Sequence, residues 1–182
     1  LENVNIRTAM ALSFDKDAIA YNILKDGSIP ANFPVPTLLA TGPDGKDFRE
    51  TAGTYLETDK TKAVEFWEAG LAELGVTELT YTMLVEDTEA SINVAQFLQQ
   101  EWQATLPGLT VELQTMPKKN RVERMQAGDY ELVLTRWGPD YADPMTYLDM
   151  WTTGSSNNYG SWSSAEYDAI IEDAKKGDLA LD

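Results

Sequence analysis

The fold is decided by residues 79–116, which read LTYTMLVEDTEASINVAQFLQQEWQATLPGLTVELQTM. Both ends of this stretch, 79–85 and 109–116, alternate apolar and polar side chains, as a strand with one buried face does. Between them, residues 88–106 carry apolar side chains at helical spacing. The stretch therefore predicts a strand, a crossover helix and a second strand.

The same alternation continues on both sides of this stretch. Residues 59–75 predict a helix that ends at a glycine, and residues 117–127 predict a helix that opens with a proline, where the missing N–H costs nothing. The apolar run within 130–137 is typical of a third strand covered on both faces. We expect an α/β fold in which helices cover a mixed or parallel sheet.

The first 58 residues are less regular. Helices are predicted over residues 3–14 and from Asp15 to about residue 24, but prolines and glycines interrupt residues 27–58 without a clear period. A loop of this length usually packs onto something or serves a function, and its role stays open. Because no repeat or composition change divides the chain, residues 1–182 are expected to form a single α/β lobe.

The composition excludes several classes of function. The chain has 14 Lys and Arg against 30 Asp and Glu, a net charge of −16, so binding to nucleic acid is disfavoured. It has no Cys and no His, which excludes disulfides, thiolate zinc sites and the Ser-His-Asp arrangement, and we expect no cofactor and no metal. The chain also begins without Met or a signal-like segment, so we expect it to be part of a longer protein.

Residues 135–159 are unusually rich in functional side chains for a connector. They contain two Trp, three Tyr, three Asp, one Arg and an Asn pair, and they follow the last predicted strand, where open α/β sheets bind ligands. A carboxylate among aromatic rings suits a ligand with an ammonium group. The alternative is structural: Asp143 and Pro144 begin a helix, and Trp137 and Trp151 belong to the core.

Five stretches together resemble a known family, the oligopeptide-binding and dipeptide-binding proteins of ABC transporters. They are NVNIRTAMALSFD at 3–15, KAVEFWEAG at 62–70, WGPDYADP at 137–144, and the closing NNY at 157–159 with EYD at 166–168. The resemblance covers nearly the whole chain. It implies a periplasmic-binding-protein-like type II fold, of which this chain is the C-terminal lobe without the N-terminal lobe.

The resemblance also implies a function. Members of this family are extracytoplasmic receptors, periplasmic or lipid-anchored, that close two lobes on an extended peptide and deliver it to a membrane permease. The residue that accepts the peptide's α-ammonium group matches Asp140, next to a Pro139 where many relatives have Ala. The expected ligand-binding residues are Asp140, Trp137, Tyr141, Arg136, Gly138 and Asn158.

Other interpretations stay open. Family members that bind dipeptides, nickel complexes, haem or oligosaccharides share this lobe, and Asp140 with Asp143 would suit a carboxylate-based hydrolase. Arg136 either binds a ligand carboxylate or neutralises nearby acids, and Asn158 either orders its loop or lies near the ligand. A basic cluster is expected to be a solvated helix face, and it comprises Lys118, Lys119, Arg121 and Arg124.

Overall fold

The computed structural model describes residues 1–177, and the chain divides into two compact units. Unit 1 comprises residues 1–32 and 56–136, and unit 2 comprises residues 33–55 and the chain from residue 137 onward. The prediction that residues 1–182 form one lobe stays a prediction.

Unit 1 contains a three-stranded parallel sheet with the order β2-β1-β3. Strand β1 is Leu79–Glu86, β2 is Leu109–Met116 and β3 is Leu132–Val133. Helix α4 (Glu89–Thr105) connects β1 to β2, and helix α5 (Lys118–Gln126) connects β2 to β3. The predicted order of strands and helices is confirmed, and the sheet of the described chain is parallel.

The remaining helices of unit 1 begin and end at residues that suit helix ends. Helix α1 is Val4–Leu12, a π-helical segment covers Ala18–Leu24, and α3 is Lys60–Leu74. The Asp59 side chain accepts from the Lys62 N–H at 3.0 Å at the start of α3, and Gly75 ends that helix with φ 69°. These local signals explain why the helix boundaries are close to those predicted.

The core of unit 1 lies between α1, α3, α4 and the sheet. Its buried cluster includes two tryptophans whose ring N–H groups are both paired: Trp67 donates to the Pro107 carbonyl at 2.7 Å, and Trp102 to the Met10 carbonyl at 2.9 Å. Fifteen residues form the buried cluster: Ile6, Ala9, Met10, Leu12, Ala63, Trp67, Met83, Val85, Val94, Ala95, Leu98, Trp102, Leu106, Leu109 and Val111.

The third strand is much shorter than the predicted 130–137. It pairs with β1 only over Leu132–Val133, and the Leu134 N–H adds one more bond to the Leu84 carbonyl at 2.9 Å. Before the strand, the Glu131 carboxylate rather than a backbone carbonyl accepts from the Thr82 N–H at 2.7 Å. A side chain thus replaces strand pairing there, which the apolar pattern does not reveal.

Unit 2 contains short helices and long connections. Its helices are α2 (Phe48–Thr51), α6 (Met145–Leu148), a 3₁₀ turn at Asp149–Trp151, and α7 (Ala165–Lys176). Part of the irregular 27–58 segment belongs here, where the Phe33 ring packs edge-on against the rings of Phe48 and Tyr55. Within residues 1–177, no helix is long and apolar enough to cross a membrane.

Candidate ligand-binding site

A small polar pocket lies in unit 1 at the carboxyl ends of the strands. Its volume is about 170 Å³. This is the edge at which parallel sheets bind ligands, because the strand ends and the helix N-termini meet there. The lining residues come from the ends of β1 and β3 and the first turns of α4 and α5: Glu86, Ser91, Lys118, Arg121, Leu134, Thr135 and Arg136.

Arg121 is the buried centre of this pocket. Its residue is only 4% exposed, and its Nη2 lies 3.3 Å from the Glu86 carboxylate. The expectation that Arg121 belongs to a solvated helix face is therefore wrong, because Glu86 on β1 draws the guanidinium inward. Its neighbour Lys119, with a side chain 84% exposed, is solvated as expected.

Arg136 also reaches this pocket. Its Nη2 donates to the Ser91 hydroxyl at 3.3 Å, and that hydroxyl in turn accepts from the Thr88 hydroxyl at 2.9 Å. Thr88 is the N-cap residue of α4, so the contact joins the strand exit to a helix N-terminus. The two earlier interpretations of Arg136, as a carboxylate-binding group or as a partner of nearby acids, stay predictions.

In unit 2, residues 137–146 form a loop held together by Thr146. The Trp137 indole donates to the Thr146 carbonyl at 3.1 Å, and the Asp140 N–H donates to the Thr146 hydroxyl at 3.0 Å. Thr146 is 5% exposed, so the anchor of the loop is buried. The loop is therefore ordered by Thr146 and by the half-buried Trp137, and the Asp140 carboxylate takes no part in these contacts.

Three of the predicted ligand-binding residues are exposed on this loop. Gly138 and Asp140 are exposed, and Tyr141 has 52% of its surface accessible. Within the described part of unit 2, the Asp140 carboxylate makes no hydrogen bond and no ion pair. Asp143, by contrast, accepts from the Met145 N–H at 2.8 Å just before α6. The N-cap residue of that helix is Pro144, one position later than the predicted cap at Asp143.

Asn158 is buried and fully engaged by its own loop. Its amide nitrogen donates to the carbonyls of Trp162 at 2.7 Å and Thr152 at 3.1 Å, and its amide oxygen accepts from the Trp162 N–H at 3.1 Å. These contacts favour the loop-ordering interpretation.

The same loop is also fastened to α7. The hydroxyl and the N–H of Thr153 form hydrogen bonds with the Asp168 carboxylate, and these bonds lower the pKa of that carboxyl from its usual value.

Sequence reasoning missed part of the pocket in unit 1. It does not identify Ser91, and it places Arg121 at the surface, although the position of Arg121 in the first turn after β2 is a usable signal. Lys118 lines the pocket and is exposed, as the sequence predicts. In residues 1–177, no group of three or more Asp and Glu residues is arranged to hold a metal ion. Glu86, the last residue of β1, forms an ion pair with Arg121.

Comparison with known proteins shows the family to which the chain belongs. The chain belongs to the family described as "Bacterial extracellular solute-binding proteins, family 5 Middle", which it matches over residues 1–159. This is a family of solute-binding proteins. The resemblance stated from the sequence motifs is thereby confirmed.

Relatives with a stated ligand are similar along nearly all of the chain. The dipeptide-binding protein of Lactococcus lactis subsp. cremoris (strain MG1363) is 40% identical over 175 residues, which are 96% of this chain and 32% of that protein. The chain therefore spans about a third of the length of the curated relatives it matches.

Solved structures confirm the fold. A peptide-binding protein of a peptide ABC transporter superposes with a TM-score of 0.91 at 38% identity, over 97% of this chain and 78% of that one. Listeria monocytogenes OppA bound to peptide gives a TM-score of 0.91 at 41% identity, over 97% of this chain and 35% of that one. The expected type II architecture of periplasmic-binding-protein-like receptors is the fold that these superpositions support.

Proposed function

We propose that this chain is the C-terminal lobe of an extracytoplasmic receptor that captures peptides in extended form and delivers them to the membrane permease of an ABC importer. A second, N-terminal lobe of the same protein closes on the ligand from the other side. The peptide ligand is bound through its free amino terminus by Asp140. Trp137 and Tyr141 provide the walls beside it.

The observation that carries this proposal is the unpaired Asp140 carboxylate. The surrounding loop is held by Thr146 through the Asp140 backbone, so the side chain is positioned without being used internally. A carboxylate of this kind, enclosed on closure, makes a strong charge-assisted hydrogen bond to an ammonium group. The position also matches the WGPDYADP motif on which the family resemblance rests.

The edge of the sheet in unit 1 supports an extended ligand. Strand β3 lies at one edge of the described sheet, and in residues 1–177 the backbones of Thr135 and Arg136, just after it, make no hydrogen bond. A peptide laid against such an edge gains main-chain hydrogen bonds whatever its side chains are. Pairing of this kind would let one receptor bind peptides of different sequence.

The test is calorimetric titration of the full-length protein that contains this chain with pools of peptides of two to six residues. Free peptides are compared with the same peptides acetylated at the amino terminus, since acetylation removes the charge that Asp140 binds. We expect free peptides to bind and acetylated peptides to bind weakly. Asp140→Ala should weaken binding of free peptides by about 30-fold or more, the equivalent of about 2 kcal/mol.

Asp17→Ala is the matched control, because Asp17 is an exposed acid outside the 137–146 loop and its loss changes the net charge equally. It should leave peptide affinity unchanged. Equal affinity of Asp140→Ala and the unaltered protein for free peptides would show that Asp140 does not hold the amino terminus. If no peptide binds, free or acetylated, the ligand is another solute and the peptide proposal fails.

A further inference from the structure

We infer that the pocket at the carboxyl ends of the strands in unit 1 binds the carboxylate of an acidic side chain, Asp or Glu, of the peptide ligand. This inference rests on the proposed function and deepens it. The proposed function describes contacts to the amino terminus and the main chain of the peptide, and the inference adds a preferred class of peptide side chain. We call this pocket the anion pocket. It is the cavity lined by Glu86, Ser91, Lys118, Arg121 and Arg136, together with Leu134 and Thr135.

The charge of the anion pocket is opposite to that of the protein. The chain carries a net charge of −16, yet three cationic side chains and only one carboxylate line this cavity. Glu86 is already paired with Arg121, whereas Lys118 and Arg136 form no ion pair within residues 1–177. Both are exposed at the pocket rim, and the charge of Arg136 also acts on the Asp26 carboxylate. A concave site with one sign of charge attracts ligands of the other sign.

Arg121 supplies an unused donor. Its Nη2 binds Glu86 at 3.3 Å and its Nη1 lies 4.0 Å from the Met125 sulfur, but its Nε is buried without a hydrogen-bond partner. Burying a donor of a charged group without an acceptor destabilises the folded protein, because the donor loses its hydrogen bonds to water and gains none in return. A ligand carboxylate oxygen is an acceptor that would remove this cost.

The helices around the anion pocket favour the same ligand. Ser91 lies in the first turn of the 17-residue helix α4, and Lys118 is the first residue of the nine-residue helix α5. Both helix N-termini carry partial positive charge and favour anions. The buried Arg121 donor, the excess of cations and the two helix ends therefore point independently to an anionic group.

The size of the anion pocket distinguishes a side chain from a whole ligand. At about 170 Å³ it is smaller than the roughly 300–1,000 Å³ of sites that enclose a complete small molecule. A carboxylate on a short aliphatic stem suits this volume. A terminal carboxylate would bring its own backbone and side chain with it, so we assign the pocket to Asp or Glu side chains.

The test compares peptides that differ in one functional group. The full-length protein is titrated with alanine tetrapeptides, amidated at the carboxyl terminus, that carry Glu or Gln at position 2, 3 or 4. We expect Glu to bind about tenfold tighter than Gln at one of these positions, as one charge-assisted contact would give. The same peptides with a free carboxyl terminus separate a side-chain carboxylate from a terminal one.

Variants locate the effect in the anion pocket. Lys118→Met should abolish the preference for Glu over Gln while the Gln peptides still bind. Arg136→Met should abolish the same preference. Lys119→Met is the matched control, since this neighbouring lysine pairs with Glu123 outside the pocket, and it should keep the preference. Arg121→Met is less suitable because it leaves Glu86 partly buried without its partner.

Three results would overturn the inference: equal affinity for Glu and Gln at every position, a preference that survives both pocket variants, or a dependence only on the free carboxyl terminus. If no peptide binds at all, the proposed function has failed, and the pocket is then tested by itself. Acetyl-Glu-amide should shift the Nε–H NMR signal of Arg121 in this chain, and acetyl-Gln-amide should not. No difference between these two probes would also exclude the inference.

Discussion

At the residue scale, Gly108 is the clearest case of a position fixed by its backbone. It joins α4 to β2 with φ +81°, and a Cβ added there would lie 2.6 Å from the Thr77 carbonyl oxygen. Because backbone cannot move aside as a flexible side chain can, Gly108→Ala adds a clash to the cost of positive φ. We expect it to lower the free energy of unfolding by about 3 kcal/mol or more.

Urea unfolding followed by circular dichroism measures this difference. Gly45→Ala is the control, since Gly45 has a similar φ of +79° but nothing within 4 Å of an added Cβ, so it should lose only about 1–2 kcal/mol. Equal losses for the two variants would mean that the contact with Thr77 is not a constraint in solution.

Residue roles were predictable where the signal is local. The cap of α3 at Asp59 depends on neighbours within three positions, and it is found. The start of α6 is predicted within one position, since its N-cap residue is Pro144 and not Asp143. The burial of Arg121 depends on Glu86, which lies 35 positions away and is placed by the sheet. No pattern within one helix could reveal that contact, so the basic cluster was assigned wholly to the surface.

At the element scale, the two edges of the sheet differ. On β2, the Val111 N–H donates to Gln103 Oε1 at 2.8 Å, and the Val111 carbonyl accepts from Gln99 Nε2 at 2.6 Å. Two glutamines of α4 thus occupy part of this edge as a neighbouring strand would. After β3, the backbones of Thr135 and Arg136 have no such partners within the described chain. This asymmetry favours ligand pairing beside β3.

The edge contacts of β2 contribute to stability. Gln103→Leu would leave the partly buried Val111 N–H without an acceptor, so we expect a loss of about 1–2 kcal/mol in the free energy of unfolding. Gln100→Leu, on the exposed face of the same helix, is the control and should change stability little. If Gln103→Leu is as stable as Gln100→Leu, water replaces the side chain and the edge is not held by α4.

The third strand shows where element prediction ends. The sequence predicts its apolar residues, but its length depends on which groups form hydrogen bonds with the backbone of β1. Glu131 takes the Thr82 N–H before the strand, and Arg136 is directed to Ser91 after it. Both contacts are made by side chains and join positions far apart in the sequence. The spacing of apolar residues along the chain carries no information about such contacts.

At the scale of the whole molecule, the proposed function requires more protein than this chain. The chain spans about a third of its curated relatives, and the Asp140 carboxylate and Tyr141 are exposed in it. A charge-assisted contact is weak while water competes for both groups, and it strengthens when a second lobe closes and excludes water. Residues 1–182 alone should therefore bind peptide at least about 100-fold more weakly than the full-length receptor, a difference of about 2.7 kcal/mol.

Calorimetry on both proteins with the same free tripeptide measures this difference. The Glu–Gln preference offers an internal comparison, because the anion pocket lies wholly within unit 1 and is present in both proteins. Closure should raise the affinity for all peptides, and the preference for Glu over Gln should also be present in the isolated chain. Equal affinity of the chain and the full-length receptor would mean that the site is built entirely by these 182 residues, and that closure adds no binding energy.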